Sequence, residues 1–347
     1  MDKFNYHESL KETGEVLEDK KINVLKKDGF VEEKCTFSMR KKQSLAISKA
    51  FLNLGMEKRG QYIKDCGNFL GFKECPSGHF KKLSYGNFCG QRLCPMCQWR
   101  RSLKTYGQVS EIYNVISSRY KERTYLPVML TLTIKNCNHG YLENTVSRLT
   151  KGFNRLFDCK KNNLPFKVVG YFRSLEVTYN KSKDNFHPHI HALILVNQRD
   201  YNEYFKLKDN TIFLTQDLIA KNWARLLKED RAFCHLQRMK NSELRMIAEV
   251  AKYATKPSSY ISPTKDDDYF VDEKVLNEIH YGLRGKRLLS FGGLLKDVKQ
   301  ELKLDDIEKS KDLINVNSKD EHILNCPVCQ QKLIDHLYKF KFGIYIG

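Results

Sequence analysis

The feature of this sequence that most limits its fold is a pair of apolar segments joined by a short hydrophilic turn. The segments are VVGYFRSLEVTYN (168–180) and FHPHIHALILV (186–196), and both are rich in residue types that favour strands. The intervening residues KSKDN are polar, so the two segments predict an antiparallel hairpin. Any fold of this chain therefore has to keep the two strands side by side in one sheet.

Further strands and helices alternate around this hairpin. LPVMLTLTIKN (126–136) predicts a strand, and apolar residues at helical spacing predict helices over 102–122, 142–161, about 216–228 and 241–256. Helices interleaved with antiparallel strands predict an α+β fold, in which a central antiparallel sheet is flanked by helices.

Three histidines alternate along the second strand of the hairpin. Because residues two apart share one face of a strand, His187, His189 and His191 point the same way. Imidazole nitrogens at this spacing can hold one divalent ion, and ligation would satisfy polar rings beside an apolar strand. Hydrogen-bonded histidines without a metal are the alternative, but the tight cluster favours a metal site.

Glu176 is the candidate for a further metal ligand. The hairpin folds the strand that carries Glu176 back beside the histidines, where its carboxylate could join the imidazoles around one ion. The alternative is an exposed strand glutamate in an ion pair, and the sequence does not choose between the two.

A tyrosine stands out on the helix predicted over 241–256. Glu249 and Tyr253 lie four residues apart on one helix face, with Lys252 and Lys256 near that face. Cationic neighbours favour ionisation of a phenol and can hold an anionic substrate, so the pattern suits a tyrosine nucleophile. The same pattern, considered by itself, also describes a half-buried tyrosine beside a solvated lysine face.

The charge of the chain indicates a polyanionic partner. Its 60 Lys and Arg residues outnumber 41 Asp and Glu residues, which gives a formal net charge of +19. This excess favours a nucleic-acid partner, although a solvated lysine-rich surface accounts for part of it. The sequence has no run of the roughly 18–20 apolar residues that a membrane span needs and no apolar signal segment, so a cytoplasmic protein without a membrane partner is expected.

Three motifs in their chain order resemble a known superfamily. LTLTIKN, HPHIHALILV and EVAKYATK are similar to motifs of the HUH endonucleases, named for a His-hydrophobic-His strand, which nick single-stranded DNA with a tyrosine. The glutamate one turn before the tyrosine resembles that of the plasmid rolling-circle replication initiators. The resemblance extends over roughly residues 60–300 and includes GNFCGQRLCPMCQWRRSLK, GYFRSLEVTYN and RGKRLLSFGG.

The resemblance implies a chemical role for each residue of the nicking site. His189 and His191 would hold Mn or Mg, which would polarise the scissile phosphate. Tyr253 would attack that phosphate to leave a 5′-phosphotyrosine and a free 3′-OH primer, with Lys252 or Lys256 neutralising developing charge. The role of His187 stays open between a third ligand, a supporting residue and a neighbour.

The resemblance also implies how replication ends and which partners are needed. Glu249 would activate a water that cuts the strand when replication returns to the origin. The expected partners are plasmid origin DNA, as a single strand or hairpin, and host helicase and polymerase, with the protein a monomer or a dimer. A transposase or relaxase is the alternative with the same chemistry, and a non-catalytic zinc-ribbon DNA-binding protein is the alternative of another class.

Metal ligation is expected to stabilise the cysteine-rich segment 62–101, which has too few apolar residues for a core of its own. Cys94-Pro-Met-Cys97 is a metal-binding knuckle, and the family-like segments favour two further cysteines as its partners in a structural zinc site. The four ligands expected are Cys66, Cys89, Cys94 and Cys97. Cys75 and His79 are substitutes, and reduced free thiols are the alternative.

A second knuckle, Cys326-Pro-Val-Cys329, lies near the C-terminus without an obvious second pair. It predicts a second zinc site, for which His322 and His336 are candidate partners, while ligands elsewhere or an inert dithiol are the alternatives.

The sequence predicts four regions. They are an arm and helix over 1–60, a zinc module over 61–101, the nicking domain over 102–300 and a tail over 301–347. Trp99, Arg100 and Arg101 suit stacking on bases and pairing with phosphates, and an ordinary helix start is their alternative.

Overall fold

The structure is a computed structural model in which the chain forms two compact units. The described residues are 17, 22–26, 29–33, 37–120, 124–206, 211–238, 251, 260–266, 268–310, 312–315 and 323–347. The first unit lies within Met1–Arg100, Pro263–Val271 and Ser310–Gly347, and the second lies within Arg101–Ser262 and Asp272–Lys309. The described residues from 310 onward thus share a unit with the cysteine-rich segment, whereas the sequence predicts a separate tail.

The first unit contains a four-stranded antiparallel sheet and two helices. Its helices are α1 (Phe37–Asn53) and α2 (Glu57–Asp65), and its strands are β1 (Ile22–Lys26), β2 (Gly29–Glu33), β3 (Phe69–Glu74), β4 (Lys81–Gly86), β10 (Tyr269–Val271), β12 (Ile334–Lys341) and β13 (Ile344–Ile346). The order of the four-stranded sheet is β13-β12-β3-β4, and β1 and β2 pair separately. Residues from both ends of the chain therefore meet in one sheet, because β3 pairs with β12.

A small apolar core stabilises this sheet. Leu70 and Phe72 of β3 pack with Leu83 of β4 and with Tyr338 and Tyr345 of the C-terminal strands. Alternate residues of β3 supply this core, as expected for a strand with one buried face. The cysteine-rich segment thus contributes Leu70, Phe72 and Leu83 to an apolar core that it shares with the C-terminal strands.

The second unit is built on a five-stranded sheet. Its strands are β5 (Tyr125–Thr133), β6 (Val168–Asn180), β7 (Asn185–Asn197), β8 (Cys234–Gln237) and β11 (Leu289–Gly293). They follow the order β11-β6-β7-β5-β8, and every neighbouring pair is antiparallel. The predicted hairpin is confirmed, since β6 and β7 pair along their whole length down to Asn180 and Asn185. The histidine strand is therefore the central strand of the sheet.

Helices flank this sheet, as the α+β prediction requires. They are α4 (Leu142–Leu156), α5 (Cys159–Asn162), α6 (Gln198–Tyr204), α7 (Thr211–Leu227), α8 (Glu273–Gly282) and α9 (Leu294–Glu301). Two elements, α3 (Pro95–Arg119) and β9 (Ile261–Pro263), cross the division between the units. No helix among the described residues is long and apolar enough to cross a membrane.

Helix α4 packs on the face of the sheet that is opposite the histidines. Phe153 of α4 lies 5.1 Å from the ring of Tyr171 and 5.4 Å from the guanidinium of Arg173, both on β6. Tyr171 and Arg173 are odd-numbered, and Glu176 is even-numbered, so Glu176 points to the opposite face. The amphipathic helix thus covers one face, and the candidate ligands lie on the other.

Candidate active site and metal centres

Strand pairing brings Glu176 together with two of the three histidines. Glu176 on β6 lies directly opposite His189 on β7, and the next residue pair on that face includes His191. The Nε2 atoms of His189 and His191 lie 2.9 and 3.0 Å from the same carboxylate oxygen of Glu176. Glu176 and His189 are buried and His191 is half-buried. These three side chains form a compact group that could hold one metal ion.

Hydrogen bonding around His189 directs its Nε2 atom at the Glu176 carboxylate. Nδ1 of His189 lies 3.0 Å from the carbonyl oxygen of His187, and a carbonyl only accepts, so Nδ1 carries a proton. Nε2 of a neutral His189 then directs a lone pair at the Glu176 carboxylate, and the two acceptors repel unless a proton or metal cation lies between them. Two imidazole nitrogens and one carboxylate are a donor set that fits a divalent metal.

Thr131 on β5 supports the other histidine. Its Oγ1 lies 3.1 Å from Nδ1 of His191, and Thr131 pairs with His191 across the β5–β7 ladder. A hydrogen bond on one ring nitrogen orients the ring so that the other nitrogen can ligate. Sequence reasoning missed Thr131, although the alternation in LTLT places Thr131 and Thr133 on one face of the strand.

His187 lies beside the three-residue group but is not part of it. Its Nδ1 donates to Oδ1 of Asn136 at 2.7 Å, and the Asn136 amide donates in turn to Asn185 at 2.9 Å. Burial lowers the pKa of His187, and the neighbouring His189 lowers it further. A neutral His187 with an engaged Nδ1 keeps Nε2 as an acceptor, so its role as a ligand stays a prediction.

The structure brings together the four cysteines that the sequence selected for zinc. The sulfur of Cys97 lies 3.5 Å from that of Cys66 and 3.7 Å from that of Cys89, and Cys94 completes the group. Zn–S bonds of about 2.3 Å in a tetrahedron place sulfurs about 3.8 Å apart, so the spacing fits such a metal. Four cysteine ligands leave no open position, which suits a structural rather than a catalytic site.

Lys41 of α1 lies beside this cysteine group. Its side chain is fully buried, and its ammonium donates to the carbonyl oxygens of Lys64 and Cys66 at 2.6 and 2.8 Å. Burial lowers the pKa of Lys41, and the nearby Cys66 and Cys94 oppose that shift. A buried cation requires compensating negative charge, and four thiolates around a metal ion would supply it. The sequence holds no signal for Lys41, which is one of many lysines in a charged region.

Replacing Lys41 by Met is expected to destabilise the first unit by about 2–4 kcal/mol, because the buried carbonyl of Cys66 and the part-buried carbonyl of Lys64 lose their donor. Thermal unfolding followed by circular dichroism measures the change, and zinc loss to a chelator should become faster. Lys49→Met is the matched control, since Lys49 lies exposed on the same helix. Equal melting temperatures for Lys41→Met and wild type would contradict this role.

The sequence matches a known protein family over most of its length. The model of the family described as "Replication protein" matches residues 80–333. The chain belongs to this family. The predicted resemblance to replication proteins is therefore confirmed at the level of the family.

Curated relatives of this replication protein come from several bacteria. "Protein rep" of Lactiplantibacillus plantarum is 36% identical over 76% of this chain and 80% of the relative. "Protein rep" of Streptococcus pneumoniae serotype 2 is 32% identical over 81% of this chain and 84% of the relative. "Protein rep" of Bacillus amyloliquefaciens is 30% identical over 77% and 80%, respectively. No solved structure matches the chain.

The predicted catalytic helix of this replication protein lies mostly outside the described residues. Glu249, Lys252, Tyr253 and Lys256 are outside them, and their roles stay predictions. Ala251, between Glu249 and Tyr253 in the sequence, is helical and buried. Tyr260, seven residues after Tyr253 in the sequence, is described and is only 1% exposed.

Of the three residues predicted to contact DNA, Arg100 and Arg101 are buried and Trp99 is half-buried, an arrangement that also suits an ordinary helix start. Trp99 packs edge-to-face on Phe37 at 4.8 Å between ring centroids. Arg100 is buried and donates to the carbonyl oxygens of Leu313 and Ile314 at 2.7 and 2.6 Å. Arg101 is buried as well. Guanidinium groups held in the interior do not present their donors to phosphates, so the predicted DNA contacts gain no support from this geometry.

The second knuckle lies next to two residues that the sequence analysis gave as substitute ligands for the first zinc site. Cys326 and Cys329 group with Cys75 and His79. Of the candidate partners, His322 is outside the described residues, and Nδ1 of His336 lies 3.7 Å from the carboxylate of Glu74 instead.

Proposed function

We propose that this chain is a plasmid replication initiator that nicks one strand of its origin DNA through Tyr253. The convergence of His189, His191 and Glu176 on the central strands carries the proposal, because a buried two-histidine, one-carboxylate set is a site for a divalent metal. Membership in the Replication protein family supports the same function. The antiparallel sheet with the histidines on its middle strand supports an HUH-like nicking domain.

His189, His191 and Glu176 would hold Mn or Mg, and the bound ion would act as a Lewis acid on the scissile phosphate. Thr131 orients the His191 ring through Nδ1, and the His187 carbonyl orients the His189 ring. The role proposed for this face of the sheet is therefore to bind and orient the phosphate for attack.

In the proposed reaction the phenolic oxygen of Tyr253 attacks the phosphorus. A bond forms between that oxygen and phosphorus while the bond to the 3′ oxygen breaks, and the 3′ oxygen leaves with a proton as a hydroxyl. Lys252 or Lys256 would offset the charge that develops on the phosphate oxygens. The free 3′-OH would prime a host polymerase, with a host helicase opening the duplex.

Termination is proposed to depend on Glu249. Its carboxylate would remove a proton from water, which then attacks the phosphate of the returning strand. Hydrolysis of this kind does not create a second covalent protein–DNA link, so it suits a replication protein. The four-cysteine group would hold a structural zinc, and the initiator would act in the cytoplasm.

Mass spectrometry of the covalent adduct tests the proposal. The wild-type protein is incubated with single-stranded DNA from its own origin and with Mn or Mg, and the modified peptide is sequenced. We expect a 5′-phosphotyrosine at Tyr253. An adduct at another residue refutes the assigned nucleophile, and absence of both adduct and nicking on supercoiled origin plasmid refutes the function.

A further inference from the structure

We propose that Cys75, His79, Cys326 and Cys329 form a second structural zinc site, separate from the four-cysteine group. Its four ligands come from two segments that are some 250 residues apart, since Cys75 and Cys329 are separated by 254 positions. The ion would tie the C-terminal strands β12 and β13 to the β3–β4 hairpin. The proposal concerns only the first unit and does not depend on the nicking chemistry.

The spacing of the four donor atoms fits a tetrahedral ion. The sulfur of Cys75 lies 3.4 Å from that of Cys329 and 3.9 Å from Nδ1 of His79. All four donor atoms lie within 4.8 Å of one another. Zinc with three thiolates and one imidazole places its donors about 3.5–3.8 Å apart, so only small adjustments are needed for ligation.

Both ligand pairs lie in turns that have the backbone form of metal-binding knuckles. In Cys75-Pro-Ser-Gly-His79, the amide of Gly78 donates to the carbonyl of Cys75 at 2.8 Å, and Gly78 has a φ of 73°. In Cys326-Pro-Val-Cys329, the amide of Val328 donates to the sulfur of Cys326 at 3.4 Å. Amide donation to a sulfur favours the thiolate that a metal requires.

The backbone of the turn after Cys329 is strained. Gln330 adopts a φ of 62°, and its amide donates to the carbonyl of Cys326 at 2.9 Å. A non-glycine residue in the left-handed region costs about 1 kcal/mol or more, so the surrounding structure has to compensate. Ligation of both Cys326 and Cys329 would hold this turn in place.

Strand pairing explains why the two knuckles face each other. The last residue of β3, Glu74, pairs with the first residue of β12, Ile334. Each knuckle therefore lies at the same end of the sheet, directly before or after a paired strand. Cys75, Cys326 and Leu333 form a small buried cluster with Phe80 packed against it. Such a cluster is too small to fix the two knuckles against each other, and a metal would supply that stabilisation.

A disulfide explains the arrangement less well. A disulfide bond between Cys75 and Cys329 would not explain why the thiol of Cys326 and the imidazole of His79 lie in the same group. Four donors of the types that zinc prefers converge here, in two knuckles of the expected local structure. Cysteines of a protein expected in a reducing compartment also favour metal ligation over disulfides.

Counting bound zinc in purified protein variants tests the site. Elemental analysis and native mass spectrometry should give two zinc ions per wild-type chain. Cys75→Ser, Cys329→Ser and, separately, Cys94→Ser should each retain one. Cys234→Ala should retain two, because Cys234 is a buried cysteine outside both groups. Retention of two ions by both Cys75→Ser and Cys329→Ser would overturn the proposal, and so would a wild-type content of one ion that Cys94→Ser removes.

Exchange of the histidine for a stronger ligand separates ligation from a general folding defect. His79→Ala should release the second ion at chelator concentrations at least about 10-fold lower than wild type does, because one ligand is missing. His79→Cys should keep two ions, since a fourth thiolate replaces the imidazole. A His79→Cys protein that loses the second ion as readily as His79→Ala would contradict the assigned role of His79.

Alkylation of the wild-type protein gives a readout without any substitution. Cys329 is partly exposed, so an unligated thiol there should react quickly with iodoacetamide. We expect slow labelling of Cys329 that becomes fast when a chelator is added, while Cys234 is unaffected. Equal labelling rates of Cys329 with and without chelator would overturn the proposal, as would an intact disulfide that involves Cys75 or Cys329.

Discussion

Tyr253→Phe is expected to abolish origin nicking, with a loss of at least about 10⁴-fold, because phenylalanine lacks the oxygen that would form the bond to phosphorus. Supercoiled plasmid that carries the protein's own origin is converted to nicked circles in the presence of Mn or Mg, and the rate is measured on agarose gels. Binding to origin DNA, measured by gel shift, should stay within about 3-fold of wild type. Loss of cleavage with preserved binding is the outcome that a pure DNA-binding protein cannot give.

Tyr260→Phe is the matched control for this experiment. Tyr260 lies seven residues after Tyr253 and is almost fully buried, so its ring contributes to packing rather than to contact with DNA. We expect Tyr260→Phe to nick at close to the wild-type rate and to form the same adduct. If Tyr253→Phe still nicks while a folded Tyr260→Phe protein is inactive, the nucleophile is Tyr260 and not Tyr253.

Removal of either histidine of the proposed metal site is expected to have the second largest effect. His189→Ala and His191→Ala should each reduce the nicking rate by about 10³-fold, because charge that develops on the phosphate loses its electrostatic stabilisation. Glu176→Gln should have a similar effect, since it removes the charge of the third candidate ligand. Binding of Mn to the protein, measured by calorimetry, should weaken in parallel, and added metal should recover part of the activity.

Two further substitutions distinguish ligation from support around the same site. Thr131→Val keeps the shape of the side chain but removes the hydrogen bond to His191, so a loss of about 10–100-fold is expected. His187→Ala should lose no more than Thr131→Val if His187 only supports the site. A loss as large as that of His191→Ala would make His187 a ligand. His280→Ala on α8 is the control histidine, and unchanged Mn affinity in both His189→Ala and His191→Ala would contradict the metal site.

The arrangement of the candidate active site could largely be predicted from the hairpin. Strand alternation places His189 and His191 on one face, and antiparallel pairing places Glu176 opposite His189. These are local rules, because the turn between β6 and β7 is short and allows few registers. Thr131 comes from β5, which is distant in sequence, and no local pattern specifies which residue of β5 pairs with His191.

The partners of the second knuckle could not be predicted for the same reason. Sequence spacing made Cys326 and Cys329 candidate ligands, and it left their partners open between His322, His336 and ligands elsewhere. Pairing of β3 with β12 decides that Cys75 and His79 lie there instead. Contacts between positions about 250 residues apart depend on the packing of the whole unit, which composition and periodicity do not encode.

The surroundings of residues near the first knuckle could not be predicted from the sequence. Trp99 and Arg100 have side chains suited to DNA, and their composition alone favoured that role. In the structure, the ring of Trp99 packs on Phe37 and the guanidinium of Arg100 satisfies two carbonyl oxygens. Lys41 shows the opposite case, since an unremarkable lysine becomes a buried cation beside four cysteines.

The sequence by itself determined the family, the antiparallel hairpin and the residue types of the chemistry, because motifs and strand alternation act over a few residues. Only the tertiary structure decided which donors lie close enough together to hold one ion. It joined Glu176 to His189 and His191, and it separated the cysteines into one group of four and one group with His79. The physical reason is that a metal site is defined by distances of a few ångströms between side chains, and strand pairing over long sequence separations sets those distances.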